Sequence, residues 1–174
     1  MAILPILEVP DPVLRQISRP VEAFDEALRT LVADLFETMY DAPGIGLAAI
    51  QVGRDTRVLV IDLQETEEEG GDPVRRPHAL VNPELTPVGD ERILYNEGCL
   101  SIPDQYGEVE RPALIDAVWH TPEGERREGR FDGLMAICLQ HEVDHLNGVL
   151  FTDHLSRLKR TMLMKRLDKA RRAD

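Results

Sequence analysis

The chain has 174 residues, 43% hydrophobic and 30% charged, and carries a formal charge of −12. That size suits one folded domain with a sizeable core, residues 1–174, and the acidic balance argues for solubility and against general nucleic-acid binding. Two cysteines, Cys99 and Cys138, could form one disulfide but do not make a disulfide-built secreted domain, and the apolar start from Met1 to Leu7 lacks the basic flank of a secretory signal. No apolar run approaches the length of a membrane span, so the expected address is the cytoplasm.

Asp11-Pro12-Val13-Leu14 reads as a capped helix start with Pro at the first helical position. Asp25 to Tyr40 is the first long helix, because Leu28, Leu31, Val32, Leu35, Phe36 and Met39 fall on one stripe, and Pro43-Gly44 stops it. Arg57 to Asp62 reads as a strand, and the acidic, Gly- and Pro-bearing stretch Gln64 to His78 as an exposed loop. Ala79 to Asn82 is a short strand. Glu91 to Leu94 is another, leading into an irregular segment at Glu97-Gly98-Cys99-Leu100-Ser101-Ile102-Pro103. Ala113 to His120 is the clearest strand. After a turn at Thr121 to Gly124, Arg126 to Phe131 pairs back as a hairpin.

Asp132 then caps an apolar helix that Gly148 ends. From Leu155 to Asp174 a basic helix carries eight Lys/Arg against two Asp, a local charge of +6. No repeat and no second domain is visible. Strands first, with helices set to one side, read as an α+β fold.

The apolar helix holds His141-Glu142-Val143-Asp144-His145. Imidazoles at i and i+4 share one helix face and can reach one metal ion, with the Glu beside it to move protons for a water. A hydrolytic site of this kind takes a third protein ligand. No Glu follows Glu142, and in the extended motif His-Glu-x-x-His-x-x-Gly-x-x-His the last position is Phe151, which cannot ligate. Either departure disfavours the alternative of a zinc endopeptidase. His154 falls off the helical register and reads as a surface residue, and Cys138 reads as a small buried apolar side chain. Cys99, between Gly98 and Leu100, is open to two readings, a ligand or a free core thiol. Gly98 would let the chain turn the thiol toward a metal.

Three segments together closely resemble the peptide deformylase family: Gly44-Ile45-Gly46-Leu47-Ala48-Ala49-Ile50-Gln51, Glu97-Gly98-Cys99-Leu100-Ser101, and Gln140-His141-Glu142-Val143-Asp144-His145. Order and separation match too, and the resemblance covers nearly the whole chain. The family removes the formyl group from N-formylmethionine on newly made polypeptides and releases formate. The resemblance implies small antiparallel sheets around a central metal-binding helix, with a C-terminal helix. It implies Cys99, His141 and His145 as ligands to one Fe(II), a site that would also suit zinc, nickel or cobalt. Glu142 would take a proton from the attacking water and deliver it to the leaving amine, and the Gln51 amide and Leu100 N–H would form an oxyanion hole.

For the substrate, Ile45 and Gly46 would pair with the peptide main chain, better explaining the Gly44-x-Gly46 pair than phosphate binding does. Tyr95, Leu134, Ile137 and Cys138 would line the methionine pocket, and Glu97 and Gly98 are placed with the substrate-binding residues. Arg111 matches a family position whose Arg pairs with the Glu of the cysteine motif, here Glu97, bracing the Cys99 segment. The chain departs from many members at Tyr106, where they carry a basic residue that contacts the peptide. Implied partners are formylmethionyl peptides and nascent chains, with the basic C-terminal helix either a solvated face or a ribosome-docking element. A non-catalytic metal-binding relative is the further alternative, although no ligand position is lost.

Overall fold

Residues 1–173 are described in the computed structural model; Asp174, counted above in the basic tail, lies outside them. Five antiparallel strands form the main sheet in the order β1 (Gly46–Ala48), β2 (Val58–Ile61), β3 (His78–Pro87), β6 (Ile115–His120) and β7 (Arg126–Phe131). Two further strands, β4 (Arg92–Cys99) and β5 (Ile102–Pro112), make a separate hairpin. The helices are α1 (Glu26–Asp41), α2 (Gly133–Leu146) and α3 (Arg157–Ala173), which completes the α+β architecture.

β2 positions everything else. Its four residues Val58-Leu59-Val60-Ile61 are all buried, because the sheet is covered on both faces. Val58 and Val60 pack with Leu28, Val32, Leu35 and Met39 of α1. Leu59 and Ile61 pack with Ala136, Leu139 and Leu146 of α2. Alternation along a strand sends successive side chains to opposite faces, so one strand serves two apolar layers.

α1 starts where its cap predicts: the Asp25 side chain accepts from the Leu28 N–H at 3.0 Å. Asp132 occupies the N-cap position of α2 but makes no capping bond. At the other end of α2 the Arg57 guanidinium donates to the Leu146 carbonyl at 3.1 Å, satisfying a carbonyl the helix leaves free. Gly148 follows with φ +73°, and a Cβ there would meet the Arg15 carbonyl oxygen at 2.4 Å, so both backbone and space require glycine.

Two strands depart from expectation. β3 runs on past Asn82 to Pro87, with a register shift between Val81 and Glu84. The bulge absorbs Pro83, which has no N–H to donate, and the Asn82 side-chain amide pairs instead with the Val21 main chain at 2.8 and 2.9 Å. The segment Glu97 to Pro103 is mostly strand, interrupted by a register shift at Gly98/Cys99 and a turn at Leu100-Ser101. β4 runs through Glu97, Gly98 and Cys99, and β5, unforeseen from the sequence, pairs with it along its length. Its inward positions Ile102, Gln105, Val109 and Arg111 include two polar residues, so no apolar alternation announces it. α3 lays Leu163 and Leu167 onto the hairpin core with Val109 and Phe151, and leaves its basic residues outside.

Candidate active site

The site forms where α2 meets the β4–β5 hairpin and β1. A register shift between Gly98 and Cys99, at the last step of β4, re-aims Cys99. Its Sγ lies 3.3 Å from His145 Nε2, and one ligand atom each from Cys99, His141 and His145 lie within 4.8 Å of one another. The two rings stand one helical turn apart with centroids 5.1 Å apart. Cys99 and Cys138 are both free, so the disulfide does not form.

His141 is oriented through its outer nitrogen, whereas His145 Nδ1 is buried with no hydrogen-bond partner among the described residues. His141 Nδ1 is 2.8 Å from Glu97 Oε1; a carboxylate only accepts, so Nδ1 carries a proton and Nε2 is the nitrogen left to bind a cation once its own proton is displaced. Burial opposes charge on His141, but Cys99, Glu97 and Glu142 outweigh it and raise its pKa well above the ordinary value. Burial, with the nearby His141 and Arg111, drives His145 the other way and keeps it neutral. The pocket thus draws positive charge toward a thiol and two imidazoles, the donors that suit a transition-metal ion. A metal fits these residues.

Glu97 is fixed from two sides. Arg111 donates to it through Nε at 2.6 Å and Nη2 at 2.9 Å, and both side chains are at most 5% exposed. Burial alone would raise the Glu97 pKa; Arg111 and His141 overcome this and hold it below the usual carboxylate range. The brace expected between Glu97 and Arg111 is therefore present as geometry, and Arg111 extends it to Asp144 through Nη1 at 2.9 Å.

Glu142 contrasts with this. It is buried, its Oε2 has no hydrogen-bond partner among the described residues, and burial pushes its pKa up to about 7. Gly46 makes room for it: a Cβ at that position would lie 2.7 Å from Glu142 Oε1. Gly44 likewise leaves space for Leu100, whose Cδ1 would sit 2.8 Å from a Cβ there. The space each missing side chain leaves is occupied by a site residue, and both glycines border the cleft beside the site. Gly98 is in extended strand next to the register shift, and its missing Cβ accommodates the ring of Tyr106, 2.6 Å away from where that carbon would be.

Gln51, at the end of the short β1 and its following 3-10 turn, is 1% exposed. Its Oε1 accepts from the Ala48 N–H at 2.9 Å, which fixes the amide so that Nε2 faces Ser101 Oγ at 3.1 Å and Cys99 Sγ at 3.6 Å. A cleft of about 720 Å³ opens beside these groups. Ile45, Gly46, Tyr95, Leu134, Ile137 and Cys138 border it, as do Glu97, Gly98 and Leu100. Cys138 packs in the α2 core, where burial pushes its thiol up to about 12. His154, read as a surface residue, is exposed but pairs with Asp144. Asp144 and Ser101 lie within the sequence motifs, and their places in the site come from Arg111 and from Gln51. Their partners are far away in sequence, and only the cysteine-segment match hinted at Ser101.

Comparison with known proteins agrees with this geometry. The sequence model of polypeptide deformylases matches residues 3–161. The peptide deformylase of Rhizorhabdus wittichii is 65% identical, covering 99% of this chain and 98% of its own length. That of Zymomonas mobilis subsp. mobilis is 64% identical, covering 99% and 97%. The crystal structure of a peptide deformylase from Legionella pneumophila superposes with a TM-score of 0.89 at 44% identity, covering 99% of this chain and 97% of that one. The chain belongs to the peptide deformylase family, the metal-dependent hydrolases that remove the N-formyl group from nascent polypeptides.

Proposed function

We propose that Cys99, His141 and His145 hold one Fe(II) per chain, with Zn(II), Ni(II) and Co(II) suited to the same donors. When bound, such an ion supplies Lewis acidity and a water of lowered pKa. The observation that carries this reading is a thiol and two imidazoles brought together beside a buried carboxylate with one oxygen unpaired among the described residues.

Glu142 moves the proton. A carboxyl with a pKa of about 7 accepts a proton from water near neutral pH and returns it to the leaving amine of formylmethionine. Gln51 Nε2, aimed by the Ala48–Oε1 bond, and the Leu100 N–H stabilise the oxygen of the tetrahedral carbon. Ile45 and Gly46 run beside the peptide main chain. Tyr95, Leu134, Ile137 and Cys138 surround the methionine side chain, with Gly98 at the rim. Glu97 and Arg111 orient His141, since both Glu97 oxygens already have partners. The exposed Tyr106 ring faces the peptide where a cation would otherwise lie.

The decisive test is formate release from formyl-Met-Ala-Ser by anaerobically prepared Fe(II) protein, beside Ni(II) and Zn(II) forms and Glu142→Gln. Rapid release that vanishes in the variant supports the assignment. Bound metal with no release in any form would overturn it.

We also propose that the protein works in the cytoplasm, where the Cys99 thiol stays reduced, and meets nascent chains at the ribosome through α3. No described helix is long and apolar enough to cross a membrane. The outer face of α3 offers Lys159, Lys165 and Lys169 with the exposed Leu158 and Met162. Truncating this helix would strip Leu163 and Leu167 from the hairpin core, so charge reversal is the cleaner test. Ribosome pelleting should fall in a triple Lys→Glu variant at 159, 165 and 169; unchanged pelleting would sink the idea.

A further inference from the structure

A line of paired polar groups leaves the site and reaches the surface. His141 Nδ1 donates to Glu97 Oε1 at 2.8 Å, and Glu97 accepts both Nε and Nη2 of Arg111 at 2.6 and 2.9 Å. Arg111 Nη1 donates to Asp144 Oδ2 at 2.9 Å, and that same oxygen lies 2.8 Å from His154 Nε2. Every step is within hydrogen-bond range. The His154 side chain is 37% exposed, while Phe151, Thr152 and Leu155 around it in the chain are buried. The ring is thus carried on a firmly seated turn.

We propose that His154 is a positioning residue for the metal-binding histidine His141. It holds Asp144 Oδ2 against Arg111 and so fixes how the guanidinium sits on Glu97. A guanidinium is a rigid planar fork, so a shift at Nη1 is felt at the two bonds that Nε and Nη2 make to Glu97. Glu97 in turn sets the plane of the His141 ring. Among the described residues Asp144 accepts side-chain bonds on Oδ2 alone, one from Arg111 and one from His154, so His154 is half of what restrains that carboxylate. The inference rests on Cys99, His141 and His145 being the ligands.

The test uses full-length protein loaded with Co(II), whose visible d–d bands report ligand geometry and whose thiolate charge-transfer band reports Cys99. His154→Ala should shift the d–d bands and speed metal loss to a chelator by about three- to ten-fold, less than the 10–100-fold typical of a partner directly on a ligand. His154→Gln, which keeps an N–H for Asp144, should return to within about two-fold of wild type by the same reasoning. Thermal unfolding should be unchanged in both, separating positioning from loss of fold. Wild-type bands and release rate in His154→Ala, or a Gln variant behaving like Ala, would overturn the proposal. A wild-type protein without a thiolate band would remove the ligand assignment itself and this inference with it.

Discussion

Glu97 on the hairpin wall and Glu142 on the helix wall are the same side chain, both buried beside His141, and they titrate in opposite directions. On the hairpin a guanidinium and an imidazole satisfy both Glu97 oxygens, and its pKa falls. On the helix no cation among the described residues bonds Glu142, its Oε2 has no partner among them, and burial lifts its pKa to about 7. Burial alone therefore does not decide what a carboxylate does. A paired one is a fixed anion that holds a ring; an unpaired one gains or loses its proton near neutral pH.

The sharpest way to break this contrast is Glu142→Gln. Turnover should drop by about 10²–10⁴-fold with metal content intact, the range for a lost general acid–base. Turnover within tenfold of wild type would mean the helix wall is not the reacting one. Next comes Arg111→Met, which leaves Glu97 and Asp144 without their cation. Stability should fall by about 3–5 kcal/mol in urea unfolding, as for a broken buried ion pair. A loss under about 1 kcal/mol, the range of an exposed pair, would show that the hairpin wall needs no brace.

The two walls also predict pH dependences of opposite sign in the metal-free protein. The Glu142 pKa is raised from 4.5 to about 7, so its contribution is full below 4.5 and is lost as pH climbs through about 7. That loss is on the order of 3 kcal/mol, and Glu142→Gln should gain on wild type over this window. Glu97 is lowered, so its contribution is present above the ordinary carboxylate value and is lost only as acid reaches its depressed pKa. Parallel urea-unfolding curves for the Glu97→Gln and Glu142→Gln proteins across pH would erase the distinction. The mildest test is steric. Gly46→Ala crowds the Glu142 carboxylate and should cost about 1–3 kcal/mol and slow turnover, whereas Gly44→Ala meets only a Leu100 methyl that can rotate away. Equal effects at both positions would deny that Gly46 makes room for the Glu142 carboxylate.

Sequence periodicity located the long helices and the β6–β7 hairpin well, because their apolar spacing or turn residues are local signals. β5 escaped because its inward side chains include Gln105 and Arg111, polar residues that are buried only by virtue of distant partners. The helix motif announced His141, Glu142 and His145 by spacing alone. Cys99 stays open between ligand and free core thiol until the family resemblance is weighed, since the bulge that aims it has no local signature. The reach of Arg111 to Asp144, and of Asp144 to His154, joins residues 33 and 10 positions apart across separate elements, a kind of pairing that no local pattern encodes.

β2 is four residues long and completely buried, with two side chains in the α1 layer and two in the α2 layer. Neither layer can loosen without uncovering the strand that the other depends on. Its amides should therefore exchange with solvent only through global unfolding, and the two layers should melt in a single cooperative step. A cavity cut at Leu35 or Met39 in α1, on the far side of the sheet, would then be felt as a less rigid seat for the metal-binding helix.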